Sequence, residues 1–215
     1  MKSSVTISAI TAAALMFFLS SSAWAKVKPD AVWNPGEDVI RRVKDACADE
    51  RDVTKCFAKR MREEGASRQA VRFAKSLPTF GILRELREAG KVDIAYVLYP
   101  FRANENYGVF LVNGRPSKVD VDDQALLPKD DIKSDPLYEK IDKRYHGFGL
   151  WPGDRFSTDK PTVETPKGGG QWFAVEYIVT SGCRACEEVA TARFGFDFDK
   201  KGKFLGAKFI RLVGR

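Results

Sequence analysis

Histidine is nearly absent from this 215-residue chain, whose only imidazole is that of His146. A single histidine excludes histidine-rich metal centres and leaves a hydrolytic triad one possible base. A Gly-x-Ser-x-Gly nucleophile elbow is also missing. These absences favour a non-enzymatic protein with no cofactor and no metal site, and a His146-dependent hydrolase is the remote alternative.

Long apolar runs are absent after the N-terminus, so no later segment can span a bilayer. The one such run, residues 5–19, follows the positive Lys2 and leads to the small residues Ala23 and Ala25. This order is typical of a secretory signal peptide over residues 1–25, cleaved after Ala25. The chain also lacks an Asn-x-Ser/Thr sequon. We therefore predict a periplasmic or secreted protein with no transmembrane segment after cleavage.

An excess of acidic residues is lacking too, since the formal net charge is +7. Lysine and arginine are concentrated in residues 200–211. A positive surface attracts acidic partners and anionic polymers. Because nucleic acid is not expected outside the cytoplasm, we predict that the partner is an envelope protein or an anionic envelope polymer. The oligomeric state stays open.

Only four cysteines follow the predicted signal peptide, and an even number in an exported chain predicts disulfides. Cys47 ends one predicted helix and Cys56 begins the next, so we expect Cys47–Cys56 and Cys183–Cys186 bonds. The second pair also forms a Cys-x-x-Cys motif, in which Cys183 would be the attacking and Cys186 the resolving thiol of a redox protein. That alternative requires a helix after Cys186, whereas the alternating residues 190–198 predict a strand. A zinc site made of all four thiolates is the least favoured reading.

The apolar periodicity changes along the chain from helical to alternating. Residues 36–90 show helical spacing, and the last of four predicted helices covers residues 79–90. Residues 91–215 mainly alternate, apart from a helix after Asp135 and an irregular, glycine-rich connection over residues 146–170. The predicted class is α+β, with an N-terminal helical region followed by an antiparallel β-sheet that ends in a three-stranded meander. Residues 26–215 are expected to form a single domain.

Two polar clusters are candidate binding residues, because arginine and tryptophan are favoured at binding hot spots. The first cluster, at the tip of a predicted hairpin, contains Arg102, Asn104 and Asn106. The second cluster, in the irregular connection, contains Trp151, Asp154 and Arg155. Acidic pairs at residues 122–123 and 130–131 are interpreted as solvated loop charge, with two-carboxylate hydrolysis as the alternative.

One segment resembles a known family. Residues 177–186 read Tyr-Ile-Val-Thr-Ser-Gly-Cys-Arg-Ala-Cys, and a strand with Phe196-Asp197 follows. This hairpin is similar to the strand–loop–strand region of periplasmic inhibitors of vertebrate-type lysozyme, which are exported α+β proteins with a disulfide-bounded loop. The cysteine loop holds no histidine here and its spacing is shorter, so no active residue of that family has a counterpart. The resemblance implies a lysozyme-inhibitor-like protein as a further remote alternative.

Overall fold

The computed structural model describes residues 26–102, 106–145, 147–153 and 161–214. The predicted signal segment, residues 1–25, lies outside these ranges. Within them, no helix has the length and apolar character needed to cross a membrane. Helices come first and antiparallel strands follow, so the predicted α+β class is confirmed.

Three short helices form the N-terminal part of the fold. They are α1 (Glu37–Asp45), α2 (Val53–Glu63) and α3 (Arg68–Lys75). The Asp52 carboxylate accepts a hydrogen bond from the Lys55 N–H at 2.9 Å, and the Ser67 hydroxyl accepts one from the Ala70 N–H at 2.9 Å. These bonds satisfy N–H groups that no helical carbonyl reaches. The local sequence therefore determines where α2 and α3 begin.

The predicted Cys47–Cys56 disulfide is present and joins the turn after α1 to the first turn of α2. Cys47 is completely buried and belongs to the same core cluster as Phe57 and Met61. Closing a loop of this size stabilises the fold by about 3 kcal/mol, because it restricts the unfolded chain. The bond thus supports helices that are too short to be stable alone.

The predicted helix over residues 79–90 is wrong, because Ile82–Arg87 form strand β1. The helical part therefore ends at Lys75. Ile82 packs into the core of the helices, whereas Leu83 packs into a second cluster with Val97. The spacing of these apolar residues fits either structure, and pairing with the neighbouring strand decides it by burying both faces.

Strand β1 is the edge of a four-stranded antiparallel sheet, which we call sheet one. Its other strands, in order, are β2 (Asp93–Leu98), β3 (Tyr107–Val112) and β4 (Lys118–Asp120). Strand β2 is buried along its whole length, as its mostly apolar residues predict, and its first residue, Asp93, is a buried carboxylate. One face of β2 packs near Ala31 and Phe73, and residues on the other face share a core with a second sheet.

The second sheet, sheet two, follows helix α4 (Pro136–Arg144) in the chain. It contains β5 (Gly149–Pro152), β6 (Thr162–Glu164), β7 (Gln171–Thr180), β8 (Glu188–Phe198) and β9 (Phe204–Gly214). The predicted meander is confirmed as β7, β8 and β9. The connection predicted to be irregular supplies β5 and β6, which both pair with β7. The strands therefore form two sheets rather than one.

A buried amide links the two sheets. Gln171, at the start of β7, is 6% exposed. Its Oε1 accepts a hydrogen bond from the Val92 N–H at 2.7 Å. Its Nε2 donates to the carbonyl oxygens of Ala89 and Val92, at 2.7 and 2.9 Å. One side chain thus satisfies three backbone groups just before β2.

We expect Gln171→Leu to lower the free energy of unfolding by about 3 kcal/mol, because it leaves backbone groups near Val92 buried without partners. Urea denaturation measures this change. Gln69→Leu, on the half-buried side of α3, serves as the control and should change stability by about 0.5 kcal/mol or less. Equal stability of the two variants would show that Gln171 does not link the sheets.

Candidate functional site

Two of the predicted binding residues, Arg102 and Trp151, line the same cleft. Asn106 is exposed just before β3 and is not among the residues that line this cleft. The remaining candidates lie outside the described residues: Asn104, Asp154, Arg155 and His146. The structure therefore brings together one residue from each predicted cluster.

The cleft has a volume of about 800 Å³. Sheet one contributes the end of β4, and sheet two contributes β5 and the loop between β7 and β8. Helix α4 and the turns before it supply the rest of the wall. Small-molecule sites in proteins measure about 300–1,000 Å³, so the cleft is large enough for a ligand.

Trp151 is held in place from sheet two. Its indole N–H donates to the Thr180 hydroxyl at 3.0 Å. A β-carbon on Gly149 would lie 2.7 Å from that indole nitrogen and 2.5 Å from the Gly182 carbonyl oxygen. The missing side chain at residue 149 therefore allows the indole to sit against Thr180.

Arg102 is held in place from sheet one. Its guanidinium carbon lies 3.5 Å from the centre of the Tyr99 ring, and its Nη2 donates to the Thr79 hydroxyl at 2.7 Å. The Tyr99 ring is buried between two glycines, since a β-carbon on Gly81 or Gly108 would come within 2.8 or 2.9 Å of it. The stacked cation and the buried ring support each other.

Two carboxylates lie in the wall of the cleft beside this pair. The Asp120 Oδ1 accepts a hydrogen bond from the Asp122 N–H at 3.0 Å. Burial, together with the neighbouring charge of Asp122, raises the pKa of Asp120 to about 6. Burial and the Asp120 charge also raise the pKa of the Tyr99 hydroxyl. Asp120 can therefore hold or release a proton close to neutral pH.

Sequence reasoning missed Asp120 and paired Asp122 with Asp123 instead. The spacing gave no clear signal, because the segment expected to be extended, residues 118–121, ends before Asp122. The two carboxylates come together through the turn after β4, in which the Asp122 N–H donates to Asp120. Their burial comes from contacts distant in sequence, which the spacing does not reveal.

The remaining charged residues make the numbers of positive and negative side chains in the described lining of the cleft equal. Lys129, Lys133 and Asp130 also line it, and the Lys133 ammonium lies 2.7 Å from the Asp130 carboxylate. With Arg102, Asp120 and Asp122, the described lining holds three cations and three carboxylates. Tyr138 and Phe148 add aromatic rings whose centres lie 5.6 Å apart. The cleft is thus aromatic and of mixed charge.

The predicted Cys183–Cys186 disulfide closes the β7–β8 loop, and Gly182 in that loop lines the cleft. The Ser181 N–H donates to the Glu187 carbonyl at 2.9 Å, so the loop ends as a hairpin. Strand β8 begins at Glu188, and no helix follows Cys186. The predicted strand is therefore confirmed, and the helix that the redox alternative requires is absent from this described segment.

All four cysteines of the described chain are in disulfides. A zinc site made of four thiolates is therefore a wrong reading of these residues. Among the residues with described positions, no group of three or more potential metal ligands comes together.

We expect Asp120→Asn to be more stable than the wild type at pH 7.5 by about 2 kcal/mol, after a discount for partial exposure. The folded carboxyl binds a proton more tightly than the unfolded one, so wild-type stability falls as the pH rises from 3.8 to about 6. Asparagine keeps the oxygen that accepts from Asp122 and cannot ionise. Urea denaturation at several pH values measures the difference.

The control for this pH series is Asp131→Asn, since Asp131 is exposed. Its stability should follow that of the wild type across the series. A constant gap between Asp120→Asn and the wild type from pH 4 to 7.5 would contradict the raised pKa of Asp120.

We also expect the Cys183–Cys186 bond to stay oxidised down to about −300 mV, as structural disulfides do. Thiol trapping with peptide mass mapping in glutathione and dithiothreitol buffers measures this potential. The Cys47–Cys56 bond, whose Cys47 is buried, is the internal reference. Exchange at about −120 to −230 mV, the range of catalytic pairs, would favour the redox alternative.

No protein family matches the chain, and searches among curated proteins and solved structures gave no match either. The resemblance of the Cys183 hairpin to lysozyme inhibitors therefore rests on the sequence of that hairpin alone.

Proposed function

We propose that this chain is an exported binding protein whose cleft holds a segment of an envelope polymer. The observation that carries the proposal is the convergence of Arg102, from the β2–β3 connection of sheet one, and Trp151, from β5 of sheet two, on one cleft of about 800 Å³. Arginine and tryptophan are among the residue types most enriched at binding hot spots. Their positions are supported by contacts with Thr79, Tyr99 and Thr180.

The balance of charge in the cleft narrows the chemistry of the ligand. A purely anionic polymer would meet the carboxylates of Asp120 and Asp122, which costs electrostatic energy. A polymer with hydroxyl and amide groups and charges of both signs meets a complementary group at each wall. Trp151, Tyr138 and Phe148 offer apolar faces to the carbon side of sugar rings. We therefore favour a glycan that carries short peptides.

Such a polymer lies outside the cytoplasm. The two disulfides support the same location, because disulfides persist in oxidising compartments. They are compatible with a secreted or periplasmic protein. The predicted signal peptide points to the same compartments.

One observation favours a second candidate function. Asp120 has its pKa raised to about 6 and lies beside Asp122 in the wall of the cleft. A carboxylic acid that is partly protonated near neutral pH is suited to protonate a leaving group. The second candidate is therefore hydrolysis of the bound glycan with Asp120 as the general acid.

The test is co-sedimentation of the purified protein with isolated peptidoglycan. We expect the wild type to sediment with the polymer and Trp151→Ala to lose at least about fivefold in affinity, since a central aromatic contact contributes 1 kcal/mol or more. Trp172→Ala is the matched control, because Trp172 is also half-buried but does not line the cleft. Its binding should stay within about twofold of the wild type.

Three outcomes contradict parts of the proposal. Equal loss in the two tryptophan variants would mean that the cleft is not the binding site. No sedimentation of the wild type, with a photocrosslinker at Arg102 capturing an envelope protein, would make the partner a protein. Soluble fragments released by the wild type and not by Asp120→Asn would favour the hydrolase.

A further inference from the structure

A second cavity, of about 210 Å³, lies between the N-terminal segment, α3 and the β3–β4 turn. It shares no lining residue with the cleft. Its apolar part is formed by Val27, Ala31 and Phe73. Ala31 and Phe73 are buried in one cluster with sheet one, so this part belongs to a packed core.

Basic side chains surround this cavity. Lys26, Lys28, Arg72 and Lys118 line it, and no aspartate or glutamate is among its described lining residues. Lys26 lies 3.8 Å from the buried carboxylate of Asp93. Within the described part of the chain, neither Lys28 nor Arg72 forms an ion pair. The positive charges of Lys28 and Arg72 are therefore available to pair with an anionic ligand.

The walls of the cavity are fixed by hydrogen bonds. The Asn113 side chain accepts from the Val27 N–H at 2.7 Å and donates to the Val27 carbonyl at 3.0 Å, as a neighbouring strand would. Its Nδ2 also lies 2.6 Å from Asp93 Oδ2. Lys118 donates to the Ser76 hydroxyl at 3.0 Å, which ties β4 to the end of α3. A preformed cavity loses little entropy when a ligand enters.

We propose that this cavity binds a small organic anion with an apolar tail, such as a medium-chain carboxylate. The carboxylate is held by Arg72 and Lys28, since a guanidinium matches the two oxygens of a carboxylate. The tail contacts the half-buried Val27 and the apolar floor formed by Ala31 and Phe73, and its own apolar surface gains from losing water. The volume is below the usual range for drug-sized ligands, which selects a short molecule. The proposal is independent of the function of the cleft.

Isothermal titration calorimetry of the purified protein with octanoate tests the proposal. The neutral octanamide, of equal chain length, separates the contribution of charge from that of the tail. We expect octanoate to bind at least tenfold more tightly than octanamide. Acetate, which lacks the tail, should bind at least tenfold more weakly than octanoate.

Variants locate the binding. Arg72→Gln should weaken octanoate binding at least fivefold and leave octanamide binding unchanged. Arg68→Gln is the matched control, because Arg68 lies on the same helix, is exposed and does not line the cavity. Its affinity for octanoate should equal that of the wild type.

The proposal is overturned by any of three results. Octanoate and octanamide of equal affinity would exclude recognition of the charge, and no binding of octanoate at millimolar concentration would exclude the site. Equal losses in Arg68→Gln and Arg72→Gln would assign the effect to general surface charge.

Discussion

The hydrogen bonds of Gln171 connect the two halves of the molecule. The amide satisfies backbone groups of Ala89 and Val92, so the beginning of β7 is fixed to the beginning of β2. The β3–β4 turn makes a further contact, since Arg115 and Lys203 form a parallel bridge beside β9. Between these contacts, apolar residues of both sheets share one core. The candidate site depends on this arrangement, because each sheet supplies one wall of the cleft.

The groups in the cleft depart from the rules that govern the rest of the fold. Elsewhere the core is mainly apolar, and its buried polar side chains Asp93 and Gln171 each form several hydrogen bonds. Here Tyr99 is buried beside carboxylates, and Asp120 loses much of its hydration. Such departures cost stability and are commonest where a protein has a function. The same interpretation explains why Gly81, Gly108 and Gly149 lie around the site, since each makes room for a ring.

The sequence predicted best what depends on neighbours along the chain. The final meander is of this kind, since the alternation along each of its strands is local. The same local chemistry accounts for the caps at Asp52 and Ser67 and for the left-handed backbone at Asn113. The helix predicted for residues 82–87 was wrong because their apolar spacing also fits a helix. Only their pairing with β2 makes them a strand. Arg102 and Trp151 could be selected by residue type. Asp120 and Tyr99 could not, because their properties arise from burial by distant segments.

The disulfide beside the cleft affects the thermodynamics of association. Cys183 and Cys186 restrict the loop that carries Gly182, so this part of the rim has few conformations to lose when a ligand arrives. Because an ordered rim keeps one shape, only ligands that already match this shape bind to it well. Differences in affinity among related ligands should then be found mainly in how long each complex lasts.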